Sequence, residues 1–197
     1  MNVSIFSHFK LLLSDRSIPF DVTFFSILLI LLPIVLITGP ALPDIFLSLI
    51  ATYFLIKSIW KKKWKYYKNE IVYGFLIFCS FGIVRSLLSD MPIDSLMNEG
   101  SLFYFRYIFF GMGVWYLLDN NPRVSICLMY VSIISILVVS ADALFQYFHG
   151  LNLLGNSKPN PHRLTGLFGH EPIVGRYIAY LSLFTFALIY QNFKKSK

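Results

Sequence analysis

Charge is scarce in this chain. Asp, Glu, Lys and Arg together make up 14% of it, against roughly 25% in soluble domains, while hydrophobic residues reach 56%. That balance excludes an ordinary water-soluble fold. Cysteine is limited to Cys79 and Cys127, each inside an apolar run, with no CxxC spacing and no histidine cluster beside it. Neither a disulfide nor a metal site follows from such a pair, which reads as buried small hydrophobes. His149, His162 and His170 lack the HxxxH or HxH spacing of a metal site, and His149 and His162 read as solvated loop residues. A nucleophile elbow, a Walker loop and a dinucleotide fingerprint are all missing, so no cofactor is expected. Internal repeats and low-complexity tracts are missing as well.

Long apolar runs fill the space left by charge. A spanning helix needs about 20 mostly apolar residues, and six segments qualify: 20–39, 41–60, 71–89, 101–118, 124–148 and 173–193. The expected fold is therefore all-α, a single polytopic transmembrane bundle over residues 1–197 with an outer loop at 149–172. Gly39-Pro40, followed by Pro43, makes a sharp hairpin between the first two helices. Pro33 should kink the first, a distortion that neighbouring helices tolerate in a membrane. The polar lead Met1–Pro19 precedes a full-length apolar segment, so an anchor is expected there rather than a cleavable signal.

The net charge of +7 raises the question of nucleic acid. Most of the excess sits at Lys57, Lys61, Lys62, Lys63, Lys65 and Lys68, interleaved with Trp60, Trp64, Tyr66 and Tyr67. Such a mixture can bind single strands. Between two apolar segments it instead marks a cytoplasmic membrane face, and no nucleic-acid partner is expected. With Lys10, Arg16, Arg123, Lys194, Lys195 and Lys197, that face holds twelve of the basic residues. The opposite loops hold only Lys158 and Arg163. Both termini are then cytoplasmic, and the protein belongs in the cytoplasmic membrane as a multi-pass chain.

This topology collects the remaining charge at the outer leaflet. Arg85 ends the third helix, Arg106 begins the fourth and Arg176 the sixth. Asp44 and Asp142 belong to the same layer. Asp142 and Gln146 are four apart, hence on one helix face, from which Asp142 could pair with Arg85 or Arg106. Charge inside a membrane is costly and usually functional. Arginine holds phosphate through a planar fork of donors, so Arg85, Arg106, Arg163 and Arg176 are candidates for a lipid-linked diphosphate. The plainer reading is that these arginines snorkel to the interface or pair with carboxylates. The loop 149–172 is long for a bundle connection. Gly166 and Gly169 flank Leu167-Phe168 in a way that suggests re-entry onto the membrane surface. His170 and Glu171 offer acid and base groups beside Arg176.

The run DALFQYFHG from Asp142, then RLTGLFG from Arg163, then a helix with YIAYLSLF, resembles the O-antigen ligase family of bacterial inner membranes. ITGPALPD at 37–44 and SLFYFRYIFF around Arg106 are similar to the N-terminal half of the same proteins. That family and the related O-antigen polymerases move glycans from undecaprenyl diphosphate to an acceptor at the periplasmic face. The resemblance implies that Arg163 and its neighbours contact the diphosphate or sugar, with the arginines stabilising the leaving group without a metal. Two departures stand out. Many relatives follow the glycine-rich run with Pro-Asn, where this chain has His170-Glu171-Pro172-Ile173. Family members also carry some twice as many helices, with the large catalytic loop in a second half that this sequence lacks. The expectation is an N-terminal part that binds lipid-linked oligosaccharide or polysaccharide, with a second chain as a possible source of the missing helices. A transporter, a non-catalytic assembly subunit and a purely structural membrane protein are the competing classes.

Overall fold

The computed structural model describes residues 15, 17–97, 101–158, 163–169 and 171–196. The architecture is all-helical: α1 Phe20–Val35, continued by a 3-10 turn Leu36–Thr38; α2 Ala41–Trp60; α3 Glu70–Leu87; α4 Pro92–Met97; α5 Phe105–Asn120 after a 3-10 turn Ser101–Tyr104; α6 Arg123–His149; and α7 Val174–Ser196. No strand forms among the described residues, and Leu151 and Ser157 make an isolated antiparallel bridge. Four helical segments are long and apolar enough to cross a membrane: Phe20–Thr38, Ala41–Trp60, Glu70–Leu87 and Arg123–His149. The chain is thus a membrane protein by length and composition of its helices.

Each of the six expected segments is largely helical, α2 with the expected bounds and the others with shifted ends, and four of them meet the length and hydropathy of a membrane span. Apolar length sets where a helix can exist, and local caps set where it stops. The Asn69 side chain accepts the Ile71 N–H at 2.9 Å, which starts α3 at Glu70. Pro33 remains inside α1, where its missing N–H leaves one carbonyl of the preceding turn without its usual donor. Between α3 and α5, Pro92–Met97 folds as α4, a single short helix with Asp94 in its first turn.

Two compact units divide the chain, one holding residues up to Pro43 and from Asn121 onward, the other Asp44–Asn120. In the first unit α6 is the central element. Its face carrying Val139 and Ala143 packs against Val174, Tyr177 and Leu181 of α7 and against Phe168. Farther along, Ser125 of α6 donates to Asn192 of α7 at 3.3 Å. The pairing of 139–143 with 174–181 and of 125 with 192 makes α6 and α7 antiparallel neighbours over most of their length. α1 joins through the Tyr177 hydroxyl, which donates to the Pro33 carbonyl at 2.7 Å.

In the second unit α5 runs alongside α2 in the same direction. Arg106 meets Asp44 at one end. Gly113 lies against Ile50 and Phe54 in the middle, where a Cβ would come within 3.0 Å of the Ile50 side chain. Tyr116 packs on Tyr53 and Phe54. In the last turn of α5, Asp119 accepts hydrogen bonds from Lys65 at 2.9 Å and Tyr66 at 3.1 Å, both beyond the end of α2. Small residues at such contacts let backbones approach where lipid removes the usual hydrophobic drive. Outward faces remain apolar, as at Ile77, Phe81, Leu137 and Phe186. Patches of that extent on a soluble monomer would be unusual; in a bilayer they face acyl chains.

Candidate functional site

The candidate site of the first unit is built where α6 ends and α7 begins. Asp142 and Gln146 do share one face of α6, and both are fully buried. Their partners lie in the loop. The Gln146 carbonyl oxygen Oε1 accepts the N–H groups of Thr165 and Gly166, each at 2.9 Å. Its amide donates to Thr165 Oγ1 at 3.0 Å. One side chain therefore answers three polar groups of the loop. Asp142 Oδ1 accepts the Leu153 N–H at 2.8 Å.

Asn152, buried, completes the knot. Its Oδ1 accepts from the N–H groups of Leu154 at 3.0 Å and Asn156 at 2.7 Å, and its amide donates to the Gly166 carbonyl. An Asn side chain bonding its own backbone two residues on is the standard chemistry of a turn. Gln146, Asn152, Thr165 and Gly166 thus form one buried hydrogen-bonded network, and Asp142 holds the adjoining Leu153 N–H. Buried polar groups left unpaired are costly, so this network fixes the loop's shape where it is described.

Gly166 is forced by that geometry. It adopts φ +51°, and a Cβ there would lie 3.1 Å from the Val174 side chain and 3.2 Å from Asp142 Oδ2. A side chain at this position meets both a left-handed backbone and filled space. Leu167 and Phe168 pack on the core of the unit, Leu167 partly buried and Phe168 buried. The turn Gly166–Phe168 tucks inward, and the buried Phe168 ring sits 5.2 Å from that of Tyr177.

The charged candidates separate into two groups. Arg163 and Arg176 are exposed, one just before the clamped Thr165-Gly166 pair and one in the first turn of α7 just after Val174. Neither makes an ion pair among the described residues. Glu171 is exposed and lies between them in sequence. His162 and His170 lie outside the described residues. His149 stacks on Phe145, with ring centroids 4.2 Å apart, and Lys158 donates to the Tyr147 carbonyl at 3.2 Å.

In the second unit Arg106 donates to Asp44 Oδ2 at 2.8 Å and to the Tyr107 hydroxyl at 3.3 Å. Its partner is therefore Asp44, and the partner of Asp142 is the loop backbone; the expected pairing of Asp142 with an arginine gives way to these contacts. Arg85, near the end of α3, is exposed. Sequence reasoning passed over Asn152 and Thr165. The available signal was the Asn inside a turn-forming stretch and a hydroxyl immediately before a glycine, features common to many loops.

No protein-family description matches the chain, and no curated protein or solved structure is significantly similar to it.

Proposed function

We propose that the first unit binds the anionic headgroup of a lipid-linked substrate through Arg163 and Arg176, with an undecaprenyl-diphosphate-linked glycan as the substrate class. The observation that carries this reading is the buried clamp. Gln146 holds the Thr165-Gly166 pair against α6, Asn152 secures its carbonyl, and the pair is flanked in sequence by two exposed arginines without ion pairs among the described residues. A rigid support that presents unpaired guanidinium groups suits a phosphate ligand, because the planar fork needs fixed geometry to bind two oxygens at once. Glu171 and His170 stand beside them in sequence as groups able to accept a proton from an acceptor hydroxyl. The short-motif resemblance to O-antigen ligases supports the same substrate class. On that reading an acceptor hydroxyl attacks the anomeric carbon, the diphosphate leaves, and the arginines steady its growing charge. On this reading the role of the chain is binding, at the outer membrane face expected from the charge rule.

The test uses the full chain in lipid nanodiscs, titrated with undecaprenyl diphosphate and separately with undecaprenol, which lacks the phosphates. Tight binding of the diphosphate alone is expected. Arg163→Ala combined with Arg176→Ala should weaken it by about tenfold or more, each lost charged hydrogen bond being worth roughly 1.5–3 kcal/mol. Equal affinity for both lipids, or indifference to the double substitution, would refute the reading.

A further inference from the structure

The loop between α2 and α3 carries a second charged surface, independent of the site above. Residues 61–69 read KKKWKYYKN, and the two flanking helices are both of membrane length, so this loop lies at a membrane surface. It is not a loose tether. Tyr66 is buried, with its ring edge-on to Phe54, Trp115 and Tyr116. Tyr67 stacks on Phe54 and shares a 2.7 Å hydrogen bond with the buried Ser58 hydroxyl. Lys65 is spent on Asp119. The anchor residues thus point inward, and the rest of the loop is turned out.

What is turned out is basic and aromatic. Lys61, Lys62 and Lys68 are exposed. None of Lys61, Lys62, Lys63 or Lys68 makes an ion pair among the described residues. Trp60 and Trp64 are 79% and 52% exposed, and indole rings favour the headgroup level of a bilayer.

The backbone adds a separate indication. α2 ends with the Lys63 N–H donating to the Ser58 carbonyl at 3.0 Å and the Lys62 N–H to the Ile59 carbonyl at 3.4 Å. This is the helix-ending turn in which the residue at the position of Lys62 adopts a left-handed conformation, normally glycine. Lys62 sits there at φ 49°, the one non-glycine residue with positive φ among those described. A lysine at a glycine position sacrifices stability and gains a cation at the apex of the turn. Strained backbone of that kind points to function.

We propose that the 60–69 loop is a docking surface for anionic phospholipid headgroups, with Lys61, Lys62 and Lys68 as the binding cations and Trp60 and Trp64 as interfacial anchors. Charge complementarity selects the occupant: a cluster of unpaired lysines immediately beside a spanning helix faces the leaflet in which that helix ends. The protein would carry a shell of acidic lipid around this loop, whatever ligand the other unit takes.

The experiment is fluorescence quenching of the full chain, reconstituted in a Trp115→Phe background so that emission reports only Trp60 and Trp64. Vesicles contain phosphatidylcholine with either brominated phosphatidylglycerol or brominated phosphatidylcholine at equal mole fraction. Quenching by the anionic brominated lipid should be about twofold stronger or more, and the difference should shrink in high salt. Lys61→Gln, Lys62→Gln and Lys68→Gln together should bring the two lipids level while helicity is unchanged. Lys62→Gly removes charge and strain at once, so it should lower the preference without any loss of thermal stability. Equal quenching in the parent protein overturns the proposal. So does a triple variant that retains the preference, or a single-stranded RNA that binds these lysines with no lipid preference present.

Discussion

Gln146 shows how one side chain can decide a loop. Replacing it by Leu keeps the bulk but strands two buried N–H groups and one buried hydroxyl. Each orphaned group costs roughly 1–3 kcal/mol, so Gln146→Leu should lose about 3 kcal/mol or more in reversible unfolding of the detergent-solubilised protein. Gly166→Ala should cost about 2 kcal/mol by the same measurement, since it forces a Cβ into a left-handed site that is already filled. Lys62→Gly should act with the opposite sign, raising stability by about 0.5–1 kcal/mol, because relief of left-handed strain outweighs the chain entropy that glycine returns to the unfolded state. At this scale the sequence was half legible. The spacing of Asp142 and Gln146 put both on one face, because helical period is a local property. Their partners, up to twenty residues away across a turn-rich loop, were not legible, because spacing says nothing about which backbone groups a buried amide will meet. The same limit hid the Arg106–Asp44 pair, whose members are 62 residues apart.

At the scale of elements, ion pairs tie helices and lead together. Asp44 and Arg106 join the first turns of α2 and α5, and both side chains remain partly exposed, 47% and 32%. A double-mutant cycle with Asp44→Asn and Arg106→Gln should therefore give a coupling of only about 0.5–1 kcal/mol, while the packing of Gly113 on Ile50 and Phe54 carries more of the α2–α5 contact. The lead before α1 is held by Asp15, which accepts from the Ser17 hydroxyl and backbone N–H and from Arg123 at the start of α6. Those contacts, the Ser17 hydroxyl foremost and Arg123 next, lower the Asp15 carboxyl from its usual value to about 2. A carboxyl depressed on folding stabilises in full above its unfolded pKa, about 3.9, and loses that contribution as pH falls through the folded value. The gap in melting temperature between the parent protein and Asp15→Asn should stay constant from neutral pH down to about 5 and close as pH falls from about 4 to 2. A gap that closes near neutrality would point to a histidine instead. The elements themselves were legible because apolar length alone decides where a membrane helix can form. Their ends depended on caps and on the 3-10 turn before α5, which hydropathy does not encode.

For the whole molecule, the number of spans decides which side the candidate site faces. Four segments have membrane length and hydropathy. If only those cross, the loop after α6 lies on the same side as the lysine loop after α2. If α5 and α7 cross as well, the two loops lie on opposite sides. The proposed outer-face site needs α5 to cross, and six spans is the arrangement to test. α5 at 1.5 Å per residue and its preceding 3-10 turn at about 2 Å per residue together reach roughly 32 Å, close to the 30 Å of a hydrocarbon core. α5 also follows α2 from Asp44 to beyond Tyr53 within the second unit, and α7 follows α6 from Ala143 to Ser125 within the first. A helix that lies alongside a spanning helix for that distance shares its depth. Cys79 and Cys127 are both buried and can be replaced by Ala to give a background without thiols. Single cysteines at Ser157 and Lys62, both exposed, then report sidedness with a membrane-impermeant maleimide on sealed vesicles of known orientation. Six spans require the two thiols to label from opposite sides, with Ser157→Cys on the outer one. Labelling of both from one side would mean that α5 does not cross, and would move Arg163 and Arg176 to the lysine face, away from any periplasmic substrate.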